Sequence, residues 1–229
     1  MEIELKHENI FNANTKVIVN TVNCVGVMGK GIALVFKLRY PKMFDLYKEH
    51  CKNRRIAIGK LWLYKEEVDK PWVLNFPTKV HWKYPSKIEY IKKGLQSFLE
   101  TYKEMEITSI AFPLLGTYNG GLDKNEVFEV MNLYLSKCDI TIEIYEYDAA
   151  APDDLFNSFA QKWKSITSGQ IQKHTGIRID RIKTISSAID SGRIKSMIGL
   201  IDEPGIGFVT LEKCFSFVMR KESQGLLFD

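Results

Sequence analysis

Val17-Ile18-Val19-Asn20-Thr21-Val22-Asn23-Cys24-Val25-Gly26-Val27-Met28-Gly29-Lys30-Gly31-Ile32-Ala33 is the stretch on which the reading of the fold turns. Its first residues are rich in β-branched side chains and read as a strand. Its last lead into Ile32, Val35, Phe36 and Arg39–Tyr40, which recur at helical spacing until Pro41 offers a stop. Between them Gly26, Gly29 and Gly31 let the backbone pass close to a ligand, and the helix that follows presents unpaired N–H groups and the positive end of its dipole. Phosphate oxygens are the natural guest. The spacing matches neither GxGxxG nor a Walker A loop, and a glycine-rich turn with no ligand remains the alternative at this point.

Outward from this stretch, strands and helices alternate through the first 150 residues. Strands are expected at Ile3 to Leu5, Val17 to Thr21, Leu61 to Tyr64, Trp72 to Phe76, Ile110 to Leu114 and Ile140 to Tyr145. Several are continuous apolar runs, as in strands covered on both faces. Helical spacing recurs in Ile88, Ile91, Leu95, Phe98 and Leu99 after Ser86, and again from Val127 to Leu135. The order implies a three-layer α/β fold with a mixed, mainly parallel sheet over residues 1–152. Residues 153–229 read as a smaller, mostly helical segment. Helices are expected around Leu155 to Ile166 and Ile182 to Ile189, while Phe208 to Met219 suits a strand or a short helix.

The bulk properties exclude several classes. At 45% hydrophobic and 26% charged, the chain is neither collagenous nor disordered. No apolar window approaches the length of a membrane span and the first residues are charged, so a soluble, cytoplasmic protein without membrane contact is expected. Cys24, Cys51, Cys138 and Cys214 are widely separated and form no metal or disulfide pattern. A net charge of +4 permits a polyanionic substrate without arguing for a nucleic-acid-coating protein.

Two more loops follow strands. Leu114-Leu115-Gly116-Thr117-Tyr118-Asn119-Gly120-Gly121-Leu122-Asp123 again runs from a strand through glycines toward a helix. Paired with the first loop it would close on a diphosphate from the opposite side; otherwise it is a helix entry with Asp123 as its cap. In Asn75-Phe76-Pro77-Thr78-Lys79-Val80-His81-Trp82, Lys79 is expected just past a strand, beside aromatic residues. Burial and cations such as Lys30 would lower its pKa and free an amine as nucleophile or base, against the plain reading of a solvated loop lysine. His81 has no second ligand at metal spacing, and no metal or organic cofactor is expected.

Together these motifs resemble the macrodomain family, a module that binds ADP-ribose. The Val27-Met28-Gly29-Lys30-Gly31-Ile32-Ala33 form of the first loop, the Pro77–Trp82 segment and the Gly120-Gly121-Leu122-Asp123 loop are similar to its DarG branch. The resemblance spans roughly residues 1–150. It implies an ADP-ribosyl glycohydrolase that removes ADP-ribose from thymidine in single-stranded DNA, as antitoxin to a DarT-like toxin that would be its partner. A reader of ADP-ribose without turnover, and a hydrolase acting on modified protein carboxylates, are the alternatives. ADP-ribose is then substrate or product, not cofactor.

By position, the resemblance implies catalytic roles for Lys79, near the anomeric carbon, and Asp123, as acid–base partner or ribose anchor. It places Asn23 at the distal ribose and the diphosphate on Gly26, Val27, Met28, Gly29, Lys30 and Gly31. From the other side come Leu115, Gly116, Thr117, Tyr118, Asn119, Gly120, Gly121 and Leu122, with Asn20 and Thr78 also on the ligand. Asn9 and Ile10 take the adenine end, where many macrodomains have an aspartate; the amide of Asn9 accepts without the charge of a carboxylate. Tyr145 or Tyr147 would stack on adenine or pack the sheet. In the tail, the stripe of Phe156, Phe159 and Trp163 must cover something, either a partner or the α/β domain.

Overall fold

In a computed structural model, which describes residues 3, 5–65, 70–146, 148 and 150–220, the chain forms two compact units, residues 1–148 and 149–229. The first runs β1 (Leu5–Lys6), β2 (Val17–Asn23), α1 (Gly31–Arg39), α2 (Pro41–Lys52), β3 (Trp62–Tyr64), β4 (Trp72–Lys79), α3 (Ile88–Thr101), β5 (Ser109–Pro113), α4 (Lys124–Leu135) and β6 (Thr141–Tyr145). The six strands form one sheet in the order β1-β6-β5-β2-β4-β3, in which only β3 is antiparallel to its neighbour. The mixed, mainly parallel α/β sheet expected from the sequence is therefore present. Glu4, within the first expected strand, lies outside the described residues.

β2 is central because both its faces can be buried. Val17 and Val19 face a core with Leu74 and Phe76 of β4, Ile110 and Phe112 of β5, Ile91, Leu95 and Phe98 of α3, and Val127 and Met131 of α4. Successive strand residues alternate sides, so buried Ile18 and Val22 point to the opposite face, and α1 packs against β2. Helices on both faces account for the unbroken apolar run. α3 comes close enough to β4 that a Cβ on Gly94 would stand 2.2 Å from the Phe76 ring, so only glycine fits there.

From β2 the chain leaves for β4 on one side and returns as β5 on the other. In a sheet whose strand order reverses in this way, the crevice at the carboxyl ends of the strands is the ligand position. β2, β4 and β5 end there together, and their following loops are the three that the sequence singles out.

α1 ends at Arg39, just before the stop expected at Pro41, but Pro41 also opens a helix not expected from the sequence: it is the first residue of α2, where its missing N–H costs nothing. β4 continues beyond Phe76 to Lys79, with Pro77 accommodated beside an irregularity between Val22 and Asn23. Of the two readings left open for Phe208–Met219, the structure has the helix, with Leu211, Cys214, Phe215 and Phe217 buried.

The second unit contains α5 (Asp154–Lys164), α6 (Ser168–Thr175), α7 (Ile179–Asp190) and α8 (Phe208–Met219). Asp153 starts it: one carboxylate oxygen caps α5 through the N–H groups of Leu155 and Phe156 (3.0 and 2.8 Å), and the other accepts from Met197 at 2.7 Å. The stripe of Phe156, Phe159 and Trp163 is buried within this unit. Trp163 meets Phe217 edge-on at 5.8 Å and donates its indole N–H to Ser186 at 3.0 Å. The stripe thus has its cover in its own helices. Among the described residues no helix is long and apolar enough to cross a membrane.

Candidate functional site

Asn23, the last residue of β2, folds the first loop around its own side chain. Its Oδ1 accepts from the N–H groups of Val25 (3.0 Å) and Val27 (3.4 Å), and its Nδ2 donates to the carbonyl of Val27 at 2.6 Å. The buried hydroxyl of Tyr47, on α2, donates to the carbonyl of Asn23 at 2.6 Å, and burial raises its pKa so that it stays a donor. α1 then begins at Gly31 with no side-chain cap and no acid in its first turn, which leaves backbone N–H groups facing outward. Val25, Val27, Gly29, Lys30 and Gly31 are exposed, whereas Met28 is buried and turns inward.

The second loop leaves β5 at Pro113. Leu115 and Thr117 are buried, the Thr117 hydroxyl donates to the carbonyl of Leu114 at 3.0 Å, and Tyr118–Gly120 form one 3-10 turn. Leu122 N–H closes the loop on the carbonyl of Gly116 at 3.2 Å. Asp123 caps α4 by accepting from Asn125 and Glu126 through one oxygen, Oδ1, at 3.0 Å each. The capping alternative raised by the sequence is thus present, and it occupies only half of the carboxylate.

Lys79 is where the loops meet. It pairs in register with Asn23, so the ends of β2 and β4 lie side by side, and Cys24 N–H donates to the carbonyl of Val80 at 3.3 Å. Its ammonium donates to the carbonyl of Asn119 in the second loop. The side chain of Asn119 reaches the first loop, its Nδ2 2.7 Å from where a Cβ on Gly31 would stand; Gly31 has φ +57°, a conformation that also favours glycine. Burial lowers the Lys79 pKa from the ordinary lysine value, as expected from the sequence, while the cation Lys30 that was also invoked is not among the causes. Lys79 also sits on a strand, not on the loop expected for it, which holds its backbone rigidly.

Beneath the second loop lies Ser86, which precedes α3 and is 5% exposed. Its N–H donates to the carbonyl of Gly120 at 2.9 Å, and its hydroxyl occupies the space that side chains on Gly116 and Gly120 would need. The sequence marked Ser86 only as a helix boundary. Tyr47 was missed because its helix was, and its signal was the proline-led segment with Met43 and Tyr47 one turn apart.

Other expected residues lie apart from this meeting point or face inward. Asn20 is fully buried in the sheet, donating to Asn75 Oδ1 at 2.9 Å across the β2–β4 pair. Thr78 is 4% exposed. Asn9 is buried as the cap of a 3-10 turn at Ile10–Asn12, accepting from Phe11 N–H at 3.1 Å, and Ile10 is buried with it. Tyr145 is 2% exposed and donates its hydroxyl to Glu143 at 2.6 Å, so it packs the sheet and offers no open face to a base. Tyr147 lies outside the described residues. His81 stacks on Trp82, and among the described residues no three His, Cys, Asp or Glu side chains gather to hold a metal.

A family model described as the Macro domain matches residues 19–131. The DNA ADP-ribosyl glycohydrolase of Mycobacterium tuberculosis is 50% identical over 121 residues, 52% of this chain and 34% of that protein. Among solved structures, the macrodomain of Thermus aquaticus DarG superposes with a TM-score of 0.60 at 36% identity, covering 63% of this chain and 98% of that one. Thermosipho africanus DarTG in complex with ADP-ribose gives a TM-score of 0.59 at 36% identity over 63% of this chain and 43% of that one. The chain spans about a third to two fifths of the length of the first curated relatives it matches.

Proposed function

Because this chain belongs to the macrodomain family, we propose that its first unit binds ADP-ribose and hydrolyses the bond joining it to thymidine in single-stranded DNA, so acting as antitoxin to a DNA ADP-ribosyl transferase. The relatives bearing the name DNA ADP-ribosyl glycohydrolase support the reaction, and a Thermosipho africanus relative named as a DNA ADP-ribosyl transferase–DNA ADP-ribosyl glycohydrolase fusion protein supports a transferase as the partner. The observation that carries the reading is Lys79: a lysine of lowered pKa at a strand end, between two glycine loops that reach each other through Asn119.

In this reading the uncapped start of α1 and the loop from Gly26 to Gly31 take the diphosphate, and the backbone of residues 116–121 closes on it from the other side. The Asn23 amide, by shaping the first loop, sets the wall against which the distal ribose lies. Lys79 reaches the anomeric carbon. As a neutral amine it would attack the anomeric carbon and displace the base, which leaves with the amine's proton, after which water would displace the lysine and release ADP-ribose. As an ammonium it would assist departure of the base by donating a proton while water attacks the anomeric carbon. Asp123 keeps Oδ2 for the substrate while Oδ1 holds the helix. Asn9 and Ile10 border the adenine end.

The test compares two substrates side by side: an oligonucleotide carrying ADP-ribosylated thymidine and a protein carrying ADP-ribose on a carboxylate. Release of ADP-ribose from the oligonucleotide is expected. Release from the protein alone would move the activity to carboxylate esters, and calorimetric binding of ADP-ribose with no release from either would make the chain a reader.

A further inference from the structure

We propose that residues 80–87 form a docking platform for the unpaired bases beside the modified nucleotide, so that the protein grips the DNA strand as well as the ADP-ribose. The inference rests on the DNA glycohydrolase reading and specifies how the nucleic-acid part of that substrate is held.

Trp82 and Tyr84 are 49% and 64% exposed. They are not loose: His81 stacks on Trp82 at 5.6 Å and lies 5.5 Å from Tyr84, and its Nδ1 accepts from Lys83 N–H at 3.2 Å. The Tyr84 N–H returns to the carbonyl of His81 at 3.1 Å, closing a turn that holds the rings outward. Both ends of the segment are fixed to the site, Val80 through Cys24 N–H and Ser86 through the carbonyl of Gly120. The rings thus stand on a segment that continues directly from Lys79 and is tied at both ends to the loops of the site.

The charge around the rings fits the same guest. From Lys79 to Lys87 the chain carries Lys79, Lys83 and Lys87 with His81 and no carboxylate, and the Lys83 ammonium lies 5.3 Å from the Trp82 ring centre. Flat apolar faces interleaved with cations are what a single strand needs, since every base has a face to stack and every linkage a phosphate. A duplex would hide the faces. The platform supplies affinity without sequence preference, consistent with an enzyme that must act wherever the modification is made.

The test uses the full chain and two substrates with the same glycosidic bond: a single-stranded oligonucleotide with one internal ADP-ribosylated thymidine, and ADP-ribosylated thymidine monophosphate, which has no flanking bases. Trp82→Ala/Tyr84→Ala should raise KM for the oligonucleotide about tenfold relative to KM for the mononucleotide, the worth of stacking one base. Trp82→Phe/Tyr84→Phe should restore most of that ratio. Lys83→Gln/Lys87→Gln should flatten the dependence of log KM on log salt by about 0.7 for each phosphate that a lysine no longer neutralises. A ratio unchanged by the alanine pair, with wild type active on both substrates, overturns the platform and leaves the rings to a protein partner. Wild type inactive on both substrates would overturn the glycohydrolase reading and the platform with it.

Discussion

Asp123 commits one oxygen to the start of α4 and keeps the other, and that division can be separated by substitution. Asp123→Asn leaves an amide oxygen to cap, so stability to urea should hold, while turnover should fall about 100-fold, the lower end of general acid–base effects. Asp123→Ala should lose the same turnover and about 1 kcal/mol of stability besides. Equal turnover in Asp123→Asn and wild type would reduce this residue to a cap. For Lys79, desolvation disfavours the ammonium, so the proton leaves at a pH below that of an ordinary lysine. If the neutral amine acts, the rate should rise with pH and level off below about 10.4, the unperturbed lysine value. A rate that instead falls across that range would assign the work to the ammonium.

At the scale of elements, the site depends on how closely α3 sits on β4, because β4 carries Lys79. Gly94→Ala gains up to about 1 kcal/mol in helix propensity but drives a methyl into the Phe76 ring, and overpacking of that kind costs about 1–3 kcal/mol. The net should be destabilising in chemical denaturation. Phe76→Leu should cost less in the Gly94→Ala background than in wild type, since the two side chains share one space. The sequence made β2, the first loop and α1 legible because β-branched runs, glycines and helical spacing are local signals. It ended β4 at Phe76 and placed Lys79 beyond it; the strand instead runs past Pro77 alongside β2, with a register shift between Val22 and Asn23, a feature of the pairing that local pattern does not carry. The burial of Ser86 beneath Gly116 and Gly120 joins residues about thirty positions apart and leaves no trace in local pattern.

For the whole molecule, the two units differ in what they carry. Every residue of the candidate site lies within 1–148, and the stripe that the sequence left between a partner surface and packing on the α/β domain is buried in the core of the second unit. The stripe's amphipathic spacing was legible; what it faced was not, since α6 and α8, which help build that unit, were respectively unread and ambiguous. Trp163→Ala should destabilise that unit by about 3–5 kcal/mol in calorimetry, as loss of a buried tryptophan does, yet leave turnover unchanged at a temperature where the protein remains folded. Cleavage by Lys79, within a site held together by the three loops, is put to the test by timing ADP-ribose release from an ADP-ribosylated single-stranded oligonucleotide with wild type and Lys79→Ala, alongside calorimetric titration of both with ADP-ribose. Release by wild type and none by the variant is expected, with ADP-ribose still bound by both; release by Lys79→Ala at the wild-type rate would remove Lys79 from the chemistry.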